Sequence, residues 1–289
     1  MSTQLVHTIA EVREAVASAR RQGLTIEFVP TMGALHEGHG SLMDLARRPQ
    51  GFLVVSIFVN PIQFDRPDDY ERYPRTLEAD VEFCRARGVD LVFAPSIEEM
   101  YPQPQRTFVE VTGLTEHLCG RFRPGHFRGV TTVVTKLFGI VQPDRAYFGE
   151  KDAQQLAVVR RMVRDLNLPV EIVSGPTVRE ADGLAMSSRN RRLDPEHRRA
   201  APAIYRALQA AAARVAAGAE DPGEVRSAAL RVLEAEPLLR VEYLEIVDPE
   251  EIQPVAGITD EVLIACAVWA GNVRLIDSVR ARPGRGEVR

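Results

Sequence analysis

Residues 52–59, Phe-Leu-Val-Val-Ser-Ile-Phe-Val, make an almost unbroken apolar run. Such a run is expected of a strand buried on both faces, which places it in a parallel sheet with helices above and below. The flanking sequence supplies those other layers. Thr8 is placed to cap a helix that carries Ile9, Val12, Val16 and Ala19 on one face, runs to about Arg21 and is stopped by Gly23. A strand over 25–29 follows, then a helix from about His39 that carries Leu42, Met43 and Leu45. After the apolar run come a helix over 76–87, a strand over 89–93 and an amphipathic run over 127–141. A short strand over 145–148, a helix over 152–166 and a strand over 170–173 complete the series. Alternation of this kind predicts an α/β fold, a Rossmann-like, doubly wound parallel sheet, over residues 1–180.

The pattern changes after Arg192. Residues 195–218 are rich in alanine and arginine and helical in pattern, with Pro202 as a kink or a restart. A helix over 222–236 and strand-like segments over 241–247, 262–269 and 273–278 predict a smaller α+β domain over 181–289, closing over the site of the first. The tail, 282–289, reads as disordered.

Several classes of function are disfavoured. A net charge of −4 with a pI near 5.9 argues against general nucleic-acid binding, which needs a basic surface to replace counterions. The longest apolar run, 262–270, falls well short of the ~20 residues that span a bilayer. The first twenty residues are polar and charged, without the apolar stretch of a secretion signal. Cys84, Cys119 and Cys266 lie far apart with no Cys-x-x-Cys pair, against a disulfide framework and against structural zinc. The expectation is a cytoplasmic protein with no nucleic-acid or membrane partner.

Chemistry concentrates in segments that follow predicted strands. The first is 29–41, VPTMGALHEGHGS, directly after the first long strand, where ligands of open α/β sheets bind. Gly33, Gly38 and Gly40 would let backbone approach a ligand, and the helix after them offers free N–H groups to phosphate. His36 and His39, three apart, can face one side and donate to phosphate oxygens as pyrophosphate leaves. A metal-binding His pair is the competing reading. The zinc-protease motif fails, because position 40 is glycine where its second histidine belongs.

The second segment is 148–155, FGEKDAQQ: Gly149 for close approach, Lys151 as a point charge, and Asp152 either for ribose hydroxyls or as a helix cap. Of 36 basic residues only Lys136 and Lys151 are lysine, so a lysine here can mark a site that needs a compact ammonium. Lys136, inside an amphipathic helix, is assigned to a solvated face. The third segment, 176–192, PTVREADGLAMSSRNRR, sets Ser187 and Ser188 beside Arg189 as polyphosphate donors and reads as a mobile loop. The fourth, 59–64, VNPIQF, offers Asn60 and Gln63 as uncharged amides for a hydroxylated acid. In PGHFRGV, 124–130, His126 and Arg128 serve either the helix start or function.

Taken together, PTMGALHEGH, VNPIQF, YPRTLEAD, GHFRGV, FGEKDAQQ and PTVREADGLAMSSRN resemble, in the same order, the blocks of the pantothenate synthetases, a family of the His-x-Gly-His nucleotidyltransferases. The resemblance spans about 29–192, and the last hundred residues follow it only in length and pattern. It implies an ATP-dependent ligase that adenylates (R)-pantoate and transfers the pantoyl group to β-alanine, releasing AMP and pyrophosphate. It further implies that ATP, with Mg2+ on its phosphates, is bound by Met32, Gly33, Ala34, Leu35, His36, Glu37, Gly38 and His39. Gly149, Glu150, Lys151 and Asp152 join them, with Val178, Met186, Ser187, Ser188 and Arg189. Gln63 and Gln155 would hold pantoate, with Gln63 also near β-alanine and Asn60 beside them. Of the catalytic residues His39, His36 and Lys151, the family assigns His39 as proton donor, whereas the residues by themselves make both histidines charge stabilisers. Ala79 stands where the family can carry an acid, leaving Asp80 and no expected protein ligand to metal. A homodimer is implied. The alternatives are another adenylyltransferase of the superfamily, which releases no AMP, and an ATP-sensing module without turnover.

Overall fold

In the computed structural model, which describes residues 3–284, the strands fall into two separate sheets. The first holds β1 (Gln4–Val6), β2 (Thr25–Thr31), β3 (Gly51–Ile57), β4 (Leu91–Phe93), β5 (Arg145–Gly149) and β6 (Glu171–Gly175). Their order is β1-β4-β3-β2-β5-β6, and every pairing is parallel. The apolar run is β3, paired along its whole length with β2, from Thr25 opposite Gly51 to Thr31 opposite Ile57, and with β4 on its other edge. That central place explains why both its faces are apolar.

Side chains alternate across the sheet. Val29, Leu53, Val55, Val92 and Tyr147 share one core with Leu42, Met43 and Ala46 of the helix Glu37–Ala46 and with Val81 and Cys84 of the helix Leu77–Ala86. Phe28 meets Phe138 of the helix His126–Val141 edge-on, with ring centroids 6.4 Å apart. The helix Ile9–Arg21 packs beside that one, started by a capping box between Thr8 and Glu11. From β2 the chain winds outward through β3 and β4, then crosses to β5 and β6 on the opposite side. The order therefore reverses between β2 and β5, the switch point at which doubly wound sheets bind ligands beyond the carboxyl ends of the strands.

The residue contacts divide the chain into two units, the first being Met1–Val111, Arg123–Gly149 and Val158–Pro176. The second is Thr112–Phe122, Glu150–Ala157 and Thr177–Arg289. It contains the antiparallel sheet β7 (Leu239–Val247), β8 (Val262–Ala270) and β9 (Val273–Ala281). Ile204 and Leu208 of the helix Ala203–Ala216, and Val225 and Leu233 of the helix Pro222–Glu234, bury against Leu244, Ile264 and Val268. Pro202 separates the helices Pro195–Ala200 and Ala203–Ala216, so it marks a restart. β9 runs past the expected end at 278, and Arg282 still pairs with Glu261 at 2.9 Å; the rest of the tail expected to be disordered, 285–289, lies outside the described residues. Among the described residues no helix is long and apolar enough to cross a membrane.

Candidate functional site

Five residues separate the end of β2 from the helix Glu37–Ala46, and two of them are left-handed: Gly33 at φ 80° and Ala34 at φ 51°. An alanine held there costs roughly 1–2 kcal/mol, so something must hold it. That is Asp80, a buried carboxylate whose Oδ2 accepts from the Ala34 N–H at 2.9 Å and whose Oδ1 accepts from the Leu35 N–H at 2.7 Å. Thr76 donates to Oδ2 at 3.1 Å. A Cβ on Gly33 would come within 3.0 Å of both Asp80 and Ile57. Asp80, which the sequence left without a task, is thus the anchor of the loop Met32–His36.

His36 caps the helix. Its Nδ1 accepts from the Gly38 N–H at 3.1 Å, and Nδ1 of His39 accepts from the His36 N–H at 3.3 Å. A neutral imidazole that accepts at Nδ1 carries its proton at Nε2, so this pairing assigns both rings the tautomer that donates from Nε2. The rings lie 4.1 Å apart, centroid to centroid, at the positive end of the helix dipole. Gly40 differs from its expected role. Its open side is filled by Arg87, whose Nε would lie 2.4 Å from an added Cβ and whose guanidinium pairs with Glu37. The glycine makes room for this clamp across the helix.

Beyond β3, Gln63 ends the short turn Pro61–Gln63 and is buried. Asn60 is also a correction. It is 1% exposed, its Nδ2 donates to Gln63 Oε1 at 3.0 Å and to the Gly129 carbonyl at 3.1 Å, and its Oδ1 accepts from Tyr101 at 2.7 Å. With both donor hydrogens spent inside the protein, Asn60 orients Gln63 and does not present an amide to substrate. Gly129 permits this approach, since a Cβ there would strike the Ile62 carbonyl at 2.4 Å and the Gln63 Cα at 2.6 Å. His126 serves the same turn through Nδ1, 2.7 Å from the Gln63 carbonyl oxygen. Lys136 is not on a solvated face: its ammonium sits 4.7 Å from the Tyr101 ring centroid and 3.5 Å from Gln105 Oε1, and burial lowers its pKa.

Gly149 closes β5, opposite Gly175 of β6. The turn Glu150–Asp152 that follows belongs to the second unit, so Asp152 lies in the turn ahead of the helix Ala153–Asp165. There Ser278 of β9 donates to the Glu150 carbonyl at 3.4 Å. The preceding residue, Asp277, is 3% exposed and receives two bonds from Arg179, at 2.6 and 3.0 Å. Burial pushes the Asp277 carboxyl up, opposed by the charges of Arg179 and Lys151. Of the paired glutamines, Gln154 is buried and ties the Leu114 and His117 carbonyls at 2.8 Å each, while Gln155 is half-buried.

The segment expected as a mobile loop is a hydrogen-bonded hairpin. Arg179 bridges Ala185, Met186 N–H donates to the Val178 carbonyl at 3.0 Å, and Gly183 turns the tip at φ 91°. Ser187 then caps the turn Ser188–Arg192 by accepting from the Arg189 N–H at 3.3 Å, and Asn190 fastens that turn back to Glu180 and Ala185. The first unit therefore gathers 32–39, Gln63 and Gly149 at the carboxyl ends of β2, β3 and β5. The second gathers the Lys151 turn and the Ser188 turn along β9. Tyr101, Gly129, Arg179 and Asp277 are not singled out by the sequence, Asp80 is named there without a task, and none lies in a run whose pattern reveals its partner.

Residues 4–280 match the family described as pantoate-beta-alanine ligase. The chain is 56% identical to a pantothenate synthetase of Moorella thermoacetica over 276 residues, 96% of this chain and 98% of that one. It is 52% identical to that of Thermotoga petrophila over 275 residues, 95% and 98% of the two chains. The crystal structure of pantothenate synthetase from Thermus thermophilus superposes with a TM-score of 0.90 at 50% identity, covering 96% of this chain and 99% of that one. A pantoate-beta-alanine ligase from Francisella tularensis, complexed with beta-gamma ATP and beta-alanine, gives a TM-score of 0.79 at 32% identity, covering 96% and 97%. A likeness that runs from the first strand almost to the end of the last, over a sheet with its paired histidines at the switch point, places this chain in the pantoate–beta-alanine ligase family.

Proposed function

We propose that this chain joins pantoate to β-alanine through a pantoyl adenylate, with ATP as the activating substrate. The observation that carries the reading is the His36–His39 pair, two Nε2–H donors at a helix N-terminus beyond β2. Such donors suit charge that builds on phosphate oxygens as pyrophosphate leaves. A pantoate carboxylate oxygen attacks the α-phosphorus and the bond to pyrophosphate breaks. The β-alanine amine then attacks the acyl carbon and gives up a proton, and AMP departs with the bridging oxygen. In this reading Met32–His39, Gly149–Asp152, Val178 and Met186–Arg189 bind ATP. Gln63 and Gln155 hold pantoate, and Asn60 supports Gln63.

Mg2+ fits this chain as a passenger on the nucleotide. Among the described residues no three His, Cys, Asp or Glu side chains are grouped to hold a metal ion, and both oxygens of Asp80 are taken by the 32–36 loop. A cytoplasmic homodimer completes the proposal, on the family resemblance.

Carboxyl-¹⁸O pantoate tests the route. The adenylate mechanism delivers one label to AMP and none to pyrophosphate. Label in inorganic phosphate, with ADP as product, would mark a phosphorylated acid, and solvent oxygen in the nucleotide would mark simple hydrolysis. Unlabelled AMP from labelled pantoate overturns the proposal.

The substrate assignment has its own check. Gln155→Ala should raise the KM for pantoate by about 10-fold while ATP binding changes little, because a substrate hydroxyl buried without a partner costs ~1–3 kcal/mol. Calorimetry with ATP alone separates the two, and a large loss of ATP affinity would move Gln155 to the nucleotide.

A further inference from the structure

The Gln63 amide could in principle turn either end toward a ligand, and the residues around it decide which. The deciding atom is the Gly129 carbonyl oxygen, which can only accept. It lies 3.1 Å from Asn60 Nδ2, so the amino group of Asn60 must face it. The second hydrogen on that nitrogen points to Gln63 Oε1 at 3.0 Å. Gln63 therefore turns its oxygen inward and its NH2 outward. At the far end of the chain of bonds, Tyr101 donates to Asn60 Oδ1 at 2.7 Å. Burial pushes the Tyr101 phenol up, so the hydroxyl keeps the proton it donates. Among the described residues, the outward amino group of Gln63 has only the Met32 sulfur as acceptor, at 3.2 Å. A thioether is a weak acceptor, so an oxygen of a bound ligand displaces it at little cost.

We propose that Tyr101 is a positioning residue for the acid substrate, acting through Asn60 to fix Gln63 as a hydrogen-bond donor to a pantoate oxygen. The inference rests on the placement of Gln63 at pantoate given above. Without the phenol, Asn60 Oδ1 is left buried and unpaired, and the Asn60 amide loses one of the three bonds that hold its plane.

The test is a double-mutant cycle on the full-length enzyme, with KM for pantoate, KM for ATP and kcat as readouts. Tyr101→Phe should raise the KM for pantoate by about 10-fold, the effect of one unsatisfied buried acceptor, with kcat and the KM for ATP within about 3-fold. Gln63→Ala should raise the KM for pantoate at least as much. In the Gln63→Ala background, Tyr101→Phe should add less than about 2-fold, because the path runs through an amide already removed. A merely structural role for Tyr101 predicts additive losses spread over both substrates, and that outcome overturns the relay. If Tyr101→Phe alone leaves the KM for pantoate unchanged, the relay also falls. If Gln63→Ala leaves it unchanged, the placement of Gln63 at pantoate fails instead. Gln63→Glu gives an independent reading: it keeps an inward oxygen for Asn60 and replaces the outward NH2 by an oxygen, so pantoate binding should fall further than in Gln63→Ala. Equal or better binding would mean that the outward end accepts.

Discussion

Lys151→Ala is expected to slow formation of pantoyl adenylate by about 100-fold or more, the usual cost of removing one preorganised donor to developing charge. Isolated pantoyl adenylate should still react with β-alanine at close to the normal rate. The asymmetry follows from where the charge moves. In the first half-reaction negative charge builds on the pyrophosphate as it leaves, and a compact ammonium can follow it. In the second, the leaving group is AMP, and the β- and γ-phosphates have gone. Lys151 lies in a turn laid against β9, whose Ser278 donates to the Glu150 carbonyl and whose Asp277 feels the Lys151 charge. Lys151→Arg should recover only part of the loss, since a planar fork on the same backbone places its charge differently. Rapid-quench measurement of each half-reaction decides it. If both fall by the same factor, Lys151 does not serve the triphosphate.

How much of this was legible beforehand depended on whether the cause of a feature was local. β3 could be read directly, because a strand buried on both faces needs no polar positions. The helix Ile9–Arg21 was equally plain, with Thr8 as cap and Val12, Val16 and Ala19 buried on one side. β1 could not be read: three residues are too few to show a period, and Gln4–Val6 is a strand only because β4 lies alongside. The strand expected over 89–93 is shortened to Leu91–Phe93 for a related reason: the Val89 N–H donates back to the Cys84 carbonyl of the preceding helix, and the Leu53 N–H is taken by the Asp90 carboxylate.

The site followed the same rule. The histidine pair and the Lys151 turn could be placed from spacing after a strand, since each motif sits within a dozen residues of sequence. Asn60 was misjudged because the atoms that consume its amide belong to Tyr101 and Gly129, 41 and 69 positions away. The role of Gly40 is hidden in the sequence because Arg87, which fills its open side, comes from the cap that ends another helix. The hairpin at 178–186 looked like a mobile loop because its strands are too short to alternate visibly. What the sequence concealed was which polar groups already had partners, and those partnerships separate a residue that touches substrate from one that holds another in place.

Asp80→Asn, which changes one atom of a buried side chain, is expected to lower kcat/KM for ATP by about 100-fold, the scale on which misplacing a binding group by about 1 Å is felt. The carboxylate accepts from two backbone N–H groups through its two separate oxygens, Ala34 at Oδ2 and Leu35 at Oδ1. An amide has one oxygen to offer, and its NH2 must then face the other N–H, donor against donor. One buried N–H is left unpaired, at a cost of about 1–3 kcal/mol. Ala34 meanwhile remains in a left-handed conformation that it does not favour. The loop should relax, moving His36 and with it the cap on which the orientation of both imidazoles depends. A metal-ligand role for Asp80 makes a different prediction: raising Mg2+ or supplying Mn2+ would restore activity by refilling a weakened site. The loop-anchor role predicts no rescue at any metal concentration, weaker ATP binding by calorimetry in the absence of pantoate, and a lower melting temperature. Recovery of most of the activity at high Mg2+, with unchanged thermal stability, would show that the carboxylate serves the metal and that the two backbone bonds are incidental.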